Sequence, residues 1–155
     1  MFLHHAVRPL AIGLCLLAVG ACTTGPSMAT VQPTLPPVTP GMARVWFIRL
    51  FEYESLAQPM IYANGTPVAA SEPNGGFYRD FPPGGYTFTV DSYYQDLNQS
   101  TTLQLTPGTQ SYLEIQSLRI SDGESFGRDA FYVRVPSPYF LTKYYLPQLT
   151  YLGAR

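Results

Sequence analysis

From Ala43 to Phe51 the chain reads ARVWFIRLF, nine residues without a turn former in which both odd and even positions are predominantly apolar. Successive side chains of a strand point to opposite faces, so such a run must be covered on both sides and is expected as a central strand. Beyond Phe51, short apolar or alternating runs are separated by turn residues, the pattern of an all-β sandwich. The composition agrees. Aromatic residues make up 14% with 12 Tyr, while charged residues reach only 12%, a balance that favours strands.

The runs can be placed one by one. PMIYANGTPVAA carries Asn64-Gly65 between two apolar segments, and both residues tolerate the positive φ of a type I′ hairpin turn. GGFYRDF (Gly75 to Phe81) leads into Pro82-Pro83-Gly84-Gly85, and YTFTV then sets Tyr86, Phe88 and Val90 on one face. STTLQLT points Leu103 and Leu105 inward and Pro107-Gly108 turns the chain. TQSYLEIQSLRI then buries Leu113 and Ile115 and exposes Glu114 and Gln116, so a third hairpin is expected. FYVRV (Phe131 to Val135) supplies a last strand. Ser137-Pro138 reads as an N-cap with Pro at the first helical position, opening a short helix to about Tyr145 before Pro147. The expected fold is a small Ig-like or transthyretin-like antiparallel β-sandwich of about seven strands with a short C-terminal helix.

The N-terminal region is of another kind. Leu10 to Val19 (LAIGLCLLAV) is an unbroken apolar stretch of ten residues behind a short segment with one positive charge, Arg8. About 20 apolar residues are needed to span a bilayer, so this length suits a signal-peptide core. The stretch ends Val19-Gly20-Ala21-Cys22, which resembles the lipobox of bacterial lipoproteins at all four positions. The resemblance implies cleavage after residue 21 and lipid on the Cys22 thiol. By the sorting rule of such lipoproteins, Thr23 and Thr24 in place of an Asp imply the outer membrane, with the domain in the periplasm. Two acyl chains, at about 0.8 kcal/mol per buried methylene, suffice for stable anchoring.

Residues 23–42, TTGPSMATVQPTLPPVTPGM, hold five prolines and no charge. They are expected as a polyproline tether with about 3.1 Å of reach per residue. The domain organisation is thus a signal peptide at 1–21, lipidated Cys22 and linker at 22–42, and the sandwich at 43–155. From Arg44 to about Arg134 the motifs ARVWFIR, the Asn64-Gly65 hairpin, PPGGYTFTV and LTPGTQSYLEIQ resemble DUF2846, a domain family of unknown function found in bacterial lipoproteins, similar in style to PEGA-type sandwiches. That resemblance implies a small envelope β-sandwich and carries over no catalytic residue.

Few residues suggest chemistry. A net charge of -1 gives no basic footprint for nucleic acid. His4, His5 and Cys15 lie in the expected signal peptide and Cys22 would carry lipid, so zinc sites, disulfides and His-dependent triads lose their residues. Lys143, the only lysine, leaves one weak partner for a Ser-Lys dyad. Glu52 and Glu54 read as a solvated strand end. Asp122, Glu124 and Asp129 read as a polar loop and not a calcium site. Gly75-Gly76 and Gly84-Gly85 follow turn residues and are not phosphate loops. Asn64-Gly65-Thr66 and Asn98-Gln99-Ser100 match the glycosylation sequon but read as turns. No enzyme, cofactor or metal is expected.

Tyrosine remains. Tyr93, Tyr94, Tyr139, Tyr144 and Tyr145 are the candidate interaction surface, with Tyr132 and Tyr151 nearby in sequence. Exposed tyrosines offer large, rigid, amphipathic area for protein or glycan contact. The expected partners are membrane lipid through Cys22 and an envelope protein, or alternatively glycan or peptidoglycan.

Overall fold

Ala43–Arg49 forms β1, and every one of its seven residues is buried. It is the middle strand of a five-stranded sheet in a computed structural model that describes residues 25–50, 56–92, 100–120 and 128–155. The other strands are β2 (Met60–Ala63), β3 (Thr66–Ala70), β4 (Gly75–Phe81), β5 (Gly84–Val90), β6 (Ser100–Leu105), β7 (Gln110–Ile120), β8 (Arg128–Arg134) and β9 (Thr150–Ala154). One sheet runs β8-β7-β1-β4-β9 and the other β3-β2-β5-β6. The all-β sandwich expectation therefore holds, with nine strands among the described residues instead of about seven. The four-stranded sheet is antiparallel. The five-stranded sheet is mixed, because β1 pairs β7 and β4 pairs β9 in parallel.

The two faces of β1 lead into two cores. Val45 and Phe47 join Ile61, Phe77, Phe88, Leu113 and Phe131 between the sheets. Trp46 and Ile48 project the other way and are covered by Met28, Leu141, Leu146 and Leu149. Each such large side chain taken fully out of water contributes about 1.5–3 kcal/mol relative to exposure. A third layer therefore lies outside the five-stranded sheet, made of the C-terminal helix and the proline-rich segment before β1.

That segment corrects the expectation of a free tether from residue 25 onward. Met28–Val31 is a helical turn, α1, capped by the Ser27 side chain, and Gln32–Thr34 continues it as a 3-10 turn. The Met28 N–H donates to the Leu149 carbonyl (2.8 Å), that of Ala29 to Leu146 (3.2 Å), and that of Tyr151 to Pro26 (2.9 Å). Proline richness left these contacts open, because α1 needs only four residues and pairs with the chain through its other N–H groups. Met28 is seated where Gly76 has no side chain; a Cβ there would lie 2.1 Å from the Met28 sulfur.

Buried Arg44 clamps the rest of the arm. Its guanidinium donates to Asp80 (2.7 and 3.1 Å) and to the carbonyls of Pro36 (2.9 Å) and Pro37 (3.3 Å), and it lies 3.8 Å from the Tyr78 ring centroid. Asp80 also accepts from the Thr39 N–H and hydroxyl. With Arg44 as the main cause and Thr39 assisting, its carboxyl is held down to about 2.

The local expectations fare unevenly. Asn64 and Gly65 adopt φ of 48° and 78° in the β2-β3 hairpin, and the Asn64 side chain bonds Thr87 N–H and the Gly85 carbonyl. The turn reading of Asn64 stands. The expected third hairpin does not form, since β6 and β7 belong to different sheets and Pro107-Gly108 carries the chain between them. β7 has both faces covered, Leu113 and Ile115 inward and Glu114 outward, so it has to lie within the sheet that the third layer covers. Glu114 is accordingly buried, not exposed, and its carboxylate accepts from Arg134 (3.1 Å) and Gln116 (2.8 Å). FYVRV lies in β8, and β9 comes after it unforeseen. Glu52, Glu54, Asp122, Glu124, Asn98 and Gln99 lie outside the described residues.

Candidate functional site

Ser137 is extended and Pro138 starts α2 (Pro138–Phe140), as expected, although the Ser137 side chain makes no capping bond. The helix then widens into a π turn over Leu141–Tyr145, where the Leu146 N–H donates to the Leu141 carbonyl five residues back (3.0 Å). In an α-helix, residues five apart lie well off one another's face. The widened turn aligns Leu141 with Leu146, and both are buried beside Trp46 and Ile48. Tyr145 is drawn partly into that core as well.

The opposite face is left apolar and exposed. Tyr139 is 57% exposed, Phe140 50% and Tyr144 40%, with Val135 at 57% just before the helix. The three rings contact one another at centroid separations of 5.6, 6.0 and 5.7 Å. Lys143 Nζ donates to the Tyr139 hydroxyl (2.8 Å) and lies 5.1 and 5.2 Å from the Tyr139 and Tyr144 ring centroids. The hydrogen bond raises the lysine pKa and lowers that of the Tyr139 phenol, so the ammonium is held charged over the rings. Beside the cluster lies an apolar groove of about 430 Å³, lined by Leu103, Tyr112, Val135, Pro136, Pro138 and Leu141.

Of the five tyrosines proposed from sequence, Tyr139 and Tyr144 are brought together and exposed. Tyr145 is not part of that surface, and Tyr93, Tyr94 and the lipidation candidate Cys22 lie outside the described residues. Tyr132 donates to Gln116 on β7. Tyr151 stands in an aromatic row across the outer sheet face with Tyr78, Trp46 and Tyr112, where Trp46 and Tyr112 stack at 6.0 Å. Sequence reasoning missed Phe140 and the role of Lys143. Their signal was helical spacing, since 139/143 and 140/144 are i, i+4 pairs.

Two other places can be set beside this one. The cleft of about 340 Å³ between the arm and the outer sheet face is bounded by Trp46, whose indole donates to Gln110 (2.8 Å), and by Tyr112, which accepts from Gln32 (2.8 Å). Its side chains are bonded to one another and hold the arm. The Glu114, Gln116, Tyr132 and Arg134 network ties β7 to β8. Among the described residues no group of His, Cys, Asp and Glu could hold a metal ion, and no helix is long and apolar enough to cross a membrane. No protein-family model matches the chain, and no curated protein matches it.

Proposed function

We infer that this chain is a cell-envelope lipoprotein, processed before Cys22 and anchored through lipid on that thiol, whose sandwich is a non-catalytic interaction domain of the DUF2846 type. The observation that carries the interaction reading is the exposed Tyr139, Phe140 and Tyr144 cluster: four of the five large exposed hydrophobics among the described residues fall between Val135 and Tyr144. Such clustering of apolar area at a surface marks contact sites, whereas singly scattered residues do not. The anchoring reading draws on Leu10 to Val19 and on Val19-Gly20-Ala21-Cys22, and Thr23 and Thr24 point to the outer membrane.

Metabolic labelling with palmitate tests the anchor: label on the parent chain and none on Cys22→Ser is expected, and label persisting in the variant would refute it. For the surface, in-cell crosslinking should recover an envelope component with the parent chain and lose it with Tyr139→Ala/Tyr144→Ala. A glycan reading draws on the same exposed rings. It requires co-sedimentation with purified sacculi that the double substitution abolishes.

A further inference from the structure

We propose that the component engaged by the Tyr139, Phe140 and Tyr144 cluster is the phospholipid headgroup surface of the bilayer in which the protein is anchored, so that α2 is a second, non-covalent foothold. The proposal rests on the reading of Cys22 as the acylated residue and deepens it.

Little chain separates that residue from the folded part. Three peptide units lead from Cys22 to Gly25, at most about 11 Å fully extended. Gly25 and Pro26 are already fixed, since the Pro26 carbonyl accepts from Tyr151 N–H and a Cβ on Gly25 would touch the Thr150 side chain at 3.1 Å. A free stalk of twenty residues could hold the domain about 60 Å away. The arm as folded removes nearly all of that reach.

The arm is also fixed to the element that carries the cluster. Ala29 and Met28 donate to the carbonyls of Leu146 and Leu149, in the turn that closes the C-terminal helix. Six peptide units lead from Tyr144 to Thr150, which limits the distance between their Cα atoms to about 20 Å. The start of the described arm and the exposed rings thus belong to one layer, the cover of the five-stranded sheet.

The chemistry of the patch fits a headgroup region. Tyrosines with an apolar ring and a polar tip concentrate at membrane interfaces, Phe140 and Val135 add area without a polar group, and Lys143 supplies a cation that can reach phosphate. The surface is weakly charged, so engagement rests on ring insertion and not on electrostatic attraction.

The test uses the full chain, acylated in cells and reconstituted into phosphatidylethanolamine/phosphatidylglycerol vesicles containing brominated phosphatidylcholine. The single native tryptophan, Trp46, is buried under the third layer and serves as the internal reference. In Phe140→Trp a roughly two-fold loss of the added emission is expected on brominated vesicles, because an interfacial ring sits about 5–10 Å into the headgroup boundary. The parent should change little. Adding Tyr139→Ser and Tyr144→Ser should restore the emission while palmitate labelling persists. Hydrogen exchange of the unsubstituted chain should show residues 138–146 protected on vesicles and not in detergent. Labelled protein with neither quenching nor protection would overturn the proposal alone. Loss of label from the parent chain would overturn the anchor and the foothold with it. Photo-crosslinking from position 140 to protein or glycan instead of lipid would assign the surface elsewhere.

Discussion

Met28 and Gly76 share one site, and their coupling can be measured. Gly76→Ala places a methyl where the Met28 sulfur lies, and such overpacking costs about 1–3 kcal/mol. Met28→Ala should cost about 2–4 kcal/mol through the cavity it leaves. In the double variant the new methyl occupies part of that cavity, so urea titrations should give a loss smaller than the sum; strict additivity would show that the residues do not meet. At Asp80 the coupling is to protons. The carboxyl is depressed from 3.8 to about 2, so the clamp on Arg44 and Thr39 contributes fully above about pH 4 and is lost as pH falls through 2. The contribution is about 2 kcal/mol. Asp80→Asn should lower stability at neutral pH and flatten its decline between about pH 4 and 2.

At the scale of elements, the C-terminal helix has two faces with opposite tolerances. Tyr145→Ser, on the packed side, should lower the denaturation midpoint by the equivalent of about 1–3 kcal/mol, whereas Tyr139→Ser or Tyr144→Ser should stay within about 0.5 kcal/mol. Equal losses from all three would contradict the widened turn. Sequence adjacency made Tyr144 and Tyr145 look alike; the π turn at Leu141–Tyr145 separates them, and nothing local in LTKYY announces it. Elsewhere legibility depends on the range of the interaction. Asn64-Gly65 and the alternation of Tyr86, Phe88 and Val90 are local and were readable. The parallel partners β1 with β7 and β4 with β9 are joined by distant segments, and β9 itself, TYLGA between Pro147 and the end of the described chain, has too short a pattern to declare itself. Glu114 sits at an outward position of β7 but under the third layer, so alternation alone assigned it to solvent.

The demand of ARVWFIRLF for cover on both faces was visible from the start, but the source of the outer cover was not, because the proline-rich arm resembles a linker in composition. A chain beginning at Met42 should therefore expose Trp46. Its emission should shift to the red and become accessible to acrylamide, while unchanged fluorescence would mean that the arm is dispensable to the outer core. The same closure sets an order of assembly. The arm precedes the nine described strands, yet the backbone hydrogen-bond partners of Pro26, Met28 and Ala29 are at residues 146–151, beyond eight of those strands. During vectorial synthesis the outer layer cannot close until residues 146–151 have been made and reach the arm. Until then Trp46 and Ile48 lack their outer cover, so one face of the five-stranded sheet stays wet while the core between the two sheets can already form.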